Sequence, residues 1–305
     1  MMKKCFEHQD YPKDKIEWII LDDGTDKIED LVKDIPQVKY FPLEKKLSLG
    51  KKRNMSHDNS SGEIIIYMDD DDYYPSDRIS HAVSMLMKNP DKLIAGSSEM
   101  YIYFKHIKEM YKLGPYGKNH ATAATFAFKR ELLKITKYEE EACMAEEKFF
   151  LKDYSIPMIQ LDPFKSILVF SHEHNSFDKR ILLEQIKPNV VNNYISKSSI
   201  SVDDYVKDKD IYNFFINDID ELLRNYTFGD PVNKPDVQLA QCNIQLKREK
   251  LSKQRLENEF VKMSIDLKAK QNIISQLELN INLLKDKNQY LTDKISVIIK
   301  DKINM

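Results

Sequence analysis

The sequence predicts an α/β fold, a sheet flanked by helices, followed by a helical linker and one long coiled-coil helix. Two observations carry the first half of that reading and one carries the second. Short apolar, β-branched runs alternate with helical segments up to Asn175, the pattern of a largely parallel, doubly wound sheet. One run, Glu63 to Met68, ends abruptly in four carboxylates, Asp69, Asp70, Asp71 and Asp72, and the carboxyl ends of strands are where α/β sheets bind ligands. From Leu239 onward apolar residues recur at alternating steps of three and four, the spacing of a coiled coil.

Size and charge narrow the classes. A chain of 305 residues with a formal net charge of -2 gives no global attraction to nucleic acid or to an anionic membrane surface. Cys5, Cys143 and Cys242 are odd in number and widely spaced, which is neither a disulfide framework nor a zinc motif and fits a reducing, cytoplasmic setting. The start has no apolar leader core, and no apolar run approaches a membrane span.

In chain order, the first residues read as the tail of a helix, broken at Tyr11-Pro12. A strand, Ile16 to Leu21, then ends in the turn Asp22-Asp23-Gly24-Thr25. A short helix (Lys27 to Lys33) and a short strand (Val38 to Phe41) precede a helix over Leu49 to His57. The first turn of that helix carries Lys51, Lys52 and Arg53, and cations near a helix N-terminus point to an anion close by. The Asp69–Asp72 strand follows, with Ser76 the expected cap of a helix through Ile79, Val83 and Leu86. Four adjacent carboxylates repel one another unless a cation or hydrogen-bond donors compensate, and hard divalent cations such as Mg²⁺ or Mn²⁺ take oxygen ligands of this kind. Met100 to Phe104 and Met110 to Lys112 read as a hairpin, Arg130 as a helix start, and Met158–Leu161 and Ile167–Phe170 as the last strands. Ile181–Ile186 and Ile211–Leu223 read as helices around a polar stretch, and Gly229 to Pro235 as a linker.

Beyond Pro235 there is neither proline nor glycine. With Leu239 at a, the a series includes Phe260, Leu267, Ile274, Ile281, Asn288 and Ile295, and the d series Leu256, Met263, Leu277, Leu284, Leu291 and Ile298. Ile at a, Leu at d and one Asn at a favour a parallel homodimer. The domains are therefore expected at 1–176, 177–235 and 236–305.

Five motifs in order make residues 14–175 resemble a family 2 glycosyltransferase of the GT-A fold, a Rossmann-like mixed sheet flanked by helices. They are Ile19 to Thr25 (an Asp-Asp-Gly-Ser-type turn), Arg53-Asn54 with Ser61-Gly62-Glu63, and Tyr67 to Pro75 (the DxD region). Ala145-Glu146-Glu147 and His172-Glu173-His174-Asn175 complete the set. The resemblance implies an inverting, metal-dependent transfer of a sugar from a UDP- or GDP-sugar to a hydroxyl acceptor. It implies Asp71 as the direct ligand of Mn²⁺ or Mg²⁺, with Asp69 and, late in the chain, His172. Asp70 would lie near the ribose or metal waters, Asp22 or Asp23 would hold the base, and Arg53 with Lys52 would reach the phosphates or base. Glu147, then Glu146, would be the base that takes the acceptor proton, and His120 would lie on the acceptor side. The resemblance places Met1 inside the helix that follows the family's first strand and loop, so either the true start lies upstream or the chain is a truncated relative with a damaged donor pocket. The alternative this raises is an inactive scaffold working through its coiled coil.

Overall fold

Runs of Ile, Val, Tyr and Phe become strands here because β-branched and aromatic side chains fit a pleated, covered surface. The computed structural model describes residues 2–143, 146–172, 175, 178–186, 194–224, 226 and 235–303. Helix α1 (Met2–Glu7) precedes β1 (Trp18–Asp22), α2 (Glu29–Val32) and β2 (Val38–Pro42). Next come α3 (Leu49–Asp58), β3 (Ile64–Ile66), α4 (Arg78–Lys88), β4 (Ile94–Gly96), β5 (Met100–Phe104) and β6 (Glu109–Leu113). They are followed by β7 (Ala127–Lys129), α5 (Glu147–Phe150), β8 (Met158–Gln160), β9 (Leu168–Ser171) and β10 (Ile195–Lys197). The extension adds α6 (Val202–Tyr205), α7 (Lys209–Asn213) and α8 (Ile219–Leu223), and α9 (Pro235–Ile303) is the long helix. His174, part of the late motif, lies outside the described residues.

The strands divide among three sheets: β1-β2, β3-β7-β4-β8 and β10-β6-β5-β9. This corrects the largely parallel sheet that alternation alone suggests. Strand β7 runs antiparallel between β3 and β4, and the β5–β6 hairpin with β10 is antiparallel too; β1-β2, β4-β8 and β5-β9 are the parallel pairs. Arg130–Lys134 is a 3-10 turn instead of a helix, and α4 begins after Asp77 without a side-chain cap, one residue later than Ser76 suggests.

The chain forms two compact units, Met1–Gln241 and Cys242–Met305. In the first, Val202, Tyr205, Ile211, Phe215 and Ile219 of the extension share one apolar cluster with Ile102, Phe104 and Phe170. Phe215 is fully buried and stacks on Phe170 with ring centroids 4.1 Å apart. Burial of one such ring contributes on the order of 2 kcal/mol, so α6–α8 are held as part of the sheet domain. The second unit is made of α9 from Cys242 on, whose heptad residues Leu267, Ile274, Ile281 and Leu284 are all exposed in the single chain. Among the described residues no helix is long and apolar enough to cross a membrane.

A seam divides the first two sheets. Trp18 and Asp22 use their backbone groups on the β2 side, and Glu63 and Tyr67 use theirs on the β7 side. Strand alternation therefore turns the backbone of Ile19 and Leu21, and of Ile64 and Ile66, toward each other's sheet, where no pairing exists among the described residues. Ile19 and Ile64 to Ile66 line one cleft of about 680 Å³ together with Phe6, Trp18 and Val83. Glu17 staples the mouth of this seam: its carboxylate accepts the backbone N–H of Ser61 and of Gly62 (2.6 Å), the Ser61 hydroxyl (3.0 Å) and the Lys39 ammonium. Partial burial pushes the Glu17 carboxyl up, but these donors outweigh it and bring it down to about 2. A depressed carboxyl stabilises the fold above its unfolded value and loses that contribution as pH falls toward the folded one. Glu17→Gln is therefore expected to lower Tm by roughly 5 °C at pH 7. In thermal melts the gap from wild type should close between pH 4.5 and pH 2; a gap constant across that range would refute the staple.

Candidate functional site

The repulsion inherent in four adjacent carboxylates is resolved by sending each to a different environment. Asp72 turns inward, 4% exposed, and its Oδ1 accepts the Phe170 N–H at 2.9 Å. Burial and the neighbouring Asp71 push its carboxyl well above the usual range. Asp70 is exposed. Asp69 receives no such relief: burial, against the opposing pull of Arg53 and with Asp71 and Asp70 adding to it, raises its carboxyl to about 6. Its backbone N–H donates to the Tyr74 hydroxyl (2.8 Å), which donates to the Ala124 carbonyl (3.2 Å). Asp71 is the ionised member. Its Oδ2 accepts from Asn175 Nδ2 at 2.8 Å and lies 3.6 Å from His172 Nε2. Burial works against that charge, but His172, Lys179 and Asn175 hold the carboxyl far below its ordinary value.

This donor set fits a hard divalent cation. Asp71 Oδ2 and His172 Nε2 converge, and Asp69 follows two residues away on the same strand end. Among the described residues no three His, Cys, Asp or Glu side chains are already gathered about one point. Further ligands would come from substrate oxygens and water, as is usual for Mg²⁺-type sites.

The β1 turn has its carboxylates engaged. Asp22 Oδ1 accepts the Gly24 N–H (2.9 Å), and Oδ2 accepts the Ile28 N–H (3.0 Å) and the Tyr40 hydroxyl. Against the effect of burial, those donors lower its pKa. Asp23 accepts the Leu47 N–H at 3.0 Å and the Lys52 ammonium at 3.0 Å. The anions that the basic first turn of α3 calls for are thus found within the chain: Lys52 pairs with Asp23, and Arg53 pairs with Glu146 at 2.9 Å. The Arg53 guanidinium also lies 4.5 Å from the Tyr67 ring centroid. Gly50 lets this helix approach the loop ahead of Glu146, since a Cβ there would sit 1.9 Å from the Glu139 carbonyl oxygen, and its N–H donates to Ala142.

Of the adjacent glutamates, Glu146 is buried on Arg53. Glu147 opens α5 and is half-buried; burial and the neighbouring Glu146 raise its carboxyl pKa. His120 stands apart from the aspartate run, in the loop that continues to Ala124. Sequence reasoning did not single out Tyr74, the hydroxyl bridge from Asp69 to that loop, nor Asn175 as the residue fixing Asp71. It also missed Tyr226, whose phenol pKa is raised by burial first, then by the charges of Asp26, Asp70 and Asp22 and a hydrogen bond to Asp26. The adjacent aromatics after the carboxylates were the available signal for Tyr74; Tyr226 had none.

Residues 2–152 match the family model described as Glycosyl transferase family 2. Among solved structures, residues 1–349 of TarS from S. aureus align at 21% identity and a TM-score of 0.41, covering 56% of each chain. The same protein in complex with UDP-GlcNAc aligns at 20% identity and 0.42, covering 56% of this chain and 54% of that one. A mannosyltransferase from Pyrobaculum calidifontis in complex with GDP-Man and Mn²⁺ aligns at 16% and 0.43, covering 56% and 52%. The chain thus spans little more than half the length of these structures. No curated protein sequence matches it.

Proposed function

The chain carries a family 2 glycosyltransferase domain of the GT-A fold, and on that premise we propose that it transfers a sugar, with inversion, from a UDP- or GDP-sugar to a hydroxyl acceptor. The observation that carries the proposal is the partition of the aspartates after β3, with ionised Asp71 converging on His172 beside Asp69, whose carboxyl is raised to about 6. Asp71 and His172, with Asp69, would hold Mn²⁺ or Mg²⁺, whose charge stabilises a diphosphate leaving group. Asp70, exposed at the rim, faces the ribose. Glu147 takes the acceptor proton: its raised pKa keeps it a competent base near neutral pH, whereas Glu146 is committed to Arg53. The Asp22–Asp23 turn shapes the base side of the donor cleft. Calorimetry with UDP-glucose and GDP-mannose, with and without Mn²⁺, tests this reading, and metal-dependent binding is the expected result. Absence of binding at millimolar donor would leave a scaffold acting through its coiled coil.

We also infer that α9 forms a parallel homodimer, because its exposed a and d residues make a stripe that one copy leaves in water. Sedimentation of the full chain at micromolar concentration is expected to give a dimer, and Leu277→Asp with Leu284→Asp a monomer. A wild-type monomer would refute it. Cys5, Cys143 and Cys242, none of them in a disulfide, fit work in the cytoplasm.

A further inference from the structure

Three separate segments bring a row of four rings to the surface beside Glu147. Tyr194, leading into β10, stacks on Tyr116 with centroids 5.5 Å apart and planes 10° apart. Tyr116 meets His120 at 4.9 Å, and His120 meets Tyr154 at 4.9 Å. Tyr154 is close enough to Glu147 for that carboxylate to raise its phenol pKa, after burial as the larger cause. The row is held deliberately in place. Gly114, at φ 83°, turns the chain into the Tyr116–His120 loop and donates its N–H to the Tyr194 carbonyl at 2.8 Å. Gln160 Nε2 fixes the same loop through the Lys118 (2.9 Å) and His120 (3.1 Å) carbonyls.

Tyr154 is presented at a conformational cost. Lys152, Asp153 and Tyr154 are consecutive left-handed residues with φ of 49°, 55° and 60°. Left-handed backbone is strained for residues other than glycine, and such strain clusters at functional sites. Backbone bonds from Lys152 to Phe149 and from Asp153 to Lys148, both 2.9 Å, hold the turn in this form. Its result is a tyrosine ring set against His120.

His120 adds ring nitrogens to the row's three phenol hydroxyls. Its Nδ1 is shut off from solvent and without a partner among the described residues. Orphaned buried N–H groups are rarer than under-satisfied acceptors, and burial keeps the ring neutral, so the proton is assigned to Nε2. The four rings are therefore uncharged: Tyr194 and Tyr116 lie nearly parallel, His120 is tilted by 47° from Tyr116 and by 31° from Tyr154, and one N–H donor stands among three phenol hydroxyls. An aromatic face, negative at its centre, takes C–H groups and repels anions. A pyranose offers a flat C–H face rimmed by hydroxyls.

We propose that Tyr194, Tyr116, His120 and Tyr154 form a binding platform for a neutral pyranose saccharide, the acceptor of the transfer. The sugar's C–H face lies on the rings, one hydroxyl accepts from His120 Nε2, and the chain of sugar leads to Glu147. This rests on the glycosyltransferase reading for the word acceptor, but the binding itself does not.

The test uses the full chain labelled with 3-fluorotyrosine and titrated by fluorine NMR with cellotriose, with ribitol as the acyclic polyol. Saturable shifts of the Tyr116 and Tyr154 resonances with cellotriose are expected, and none with ribitol. Tyr116→Ala, at an exposed position, should weaken cellotriose binding about fivefold to tenfold, and Tyr154→Phe, which keeps the ring, should leave it within twofold. Donor calorimetry on Tyr116→Ala should match wild type. No shift with cellotriose, or equal shifts with ribitol, overturns the platform. Saccharide binding in a protein that fails to bind donor would keep the platform and overturn the transferase reading instead.

Discussion

Replacing Asp71 with alanine should lower sugar transfer by about 10²–10³-fold, the size of effect seen when one preorganised partner of developing charge is removed. Asp71 is the one member of the aspartate run held ionised while largely enclosed, and Asn175 and His172 converge on a single one of its oxygens. Losing it removes the charge that would seat a cation against the diphosphate. Transfer or donor hydrolysis with Mn²⁺ measures this, with calorimetry separating donor affinity from turnover; equal turnover by the variant would sink the metal role. A pH dependence goes with it. Asp69 holds its proton up to about 6 because burial and the charges of Asp71 and Asp70 outweigh Arg53. A ligand carboxylate must shed its proton before it binds metal, so metal-dependent donor binding should rise between pH 5 and pH 7.

Arg53→Ala should destabilise the first unit by about 3–5 kcal/mol, because it leaves the buried Glu146 carboxylate without its partner. Both ends of this pair are enclosed, with side-chain exposures of 13% and 5%, so solvent does little to screen it. For a unit of this size the loss corresponds to a Tm lower by roughly 10 °C. Adding Glu146→Gln should recover part of it by removing the orphaned charge. Differential scanning calorimetry of the three variants decides the matter. A stable Arg53→Ala protein with weakened donor binding would instead place Arg53 on the phosphates.

Those two outcomes mark where sequence reading stops. Strands such as Met100–Phe104 and Leu168–Ser171 were legible because unbroken apolar runs suit only a buried strand or helix, and their length decides. The aspartate run was legible because four adjacent charges demand an explanation. What each carboxylate does was not legible, since Arg53 and Glu146 are 93 positions apart and pairing at that distance leaves no local pattern. Ile195–Lys197 was hidden for a different reason: three residues, two of them exposed, carry no periodicity. Its place is set by β6, through tertiary pairing alone. The left-handed turn at Lys152–Tyr154 contains no glycine or asparagine, so the usual signal for φ above zero is absent.

The seam between β1 and β3 has a consequence for donor affinity. The Asp22–Asp23 turn stands on one side of it and the Asp69–Asp71 cluster on the other, so the proposed donor cleft would be built as two jaws. Elsewhere a continuous ladder of backbone bonds would fix such jaws to each other. Here their spacing is set by side chains: the Glu17 staple at one end, and α3 at the other, gripping Asp23 with Lys52 and Glu146 with Arg53. A ligand that needs both jaws meets its full affinity only in the fraction of molecules where they are aligned, and the apparent Kd rises as that fraction falls. Helix α3 therefore acts as the gauge of the donor site, although none of its side chains need touch the sugar nucleotide.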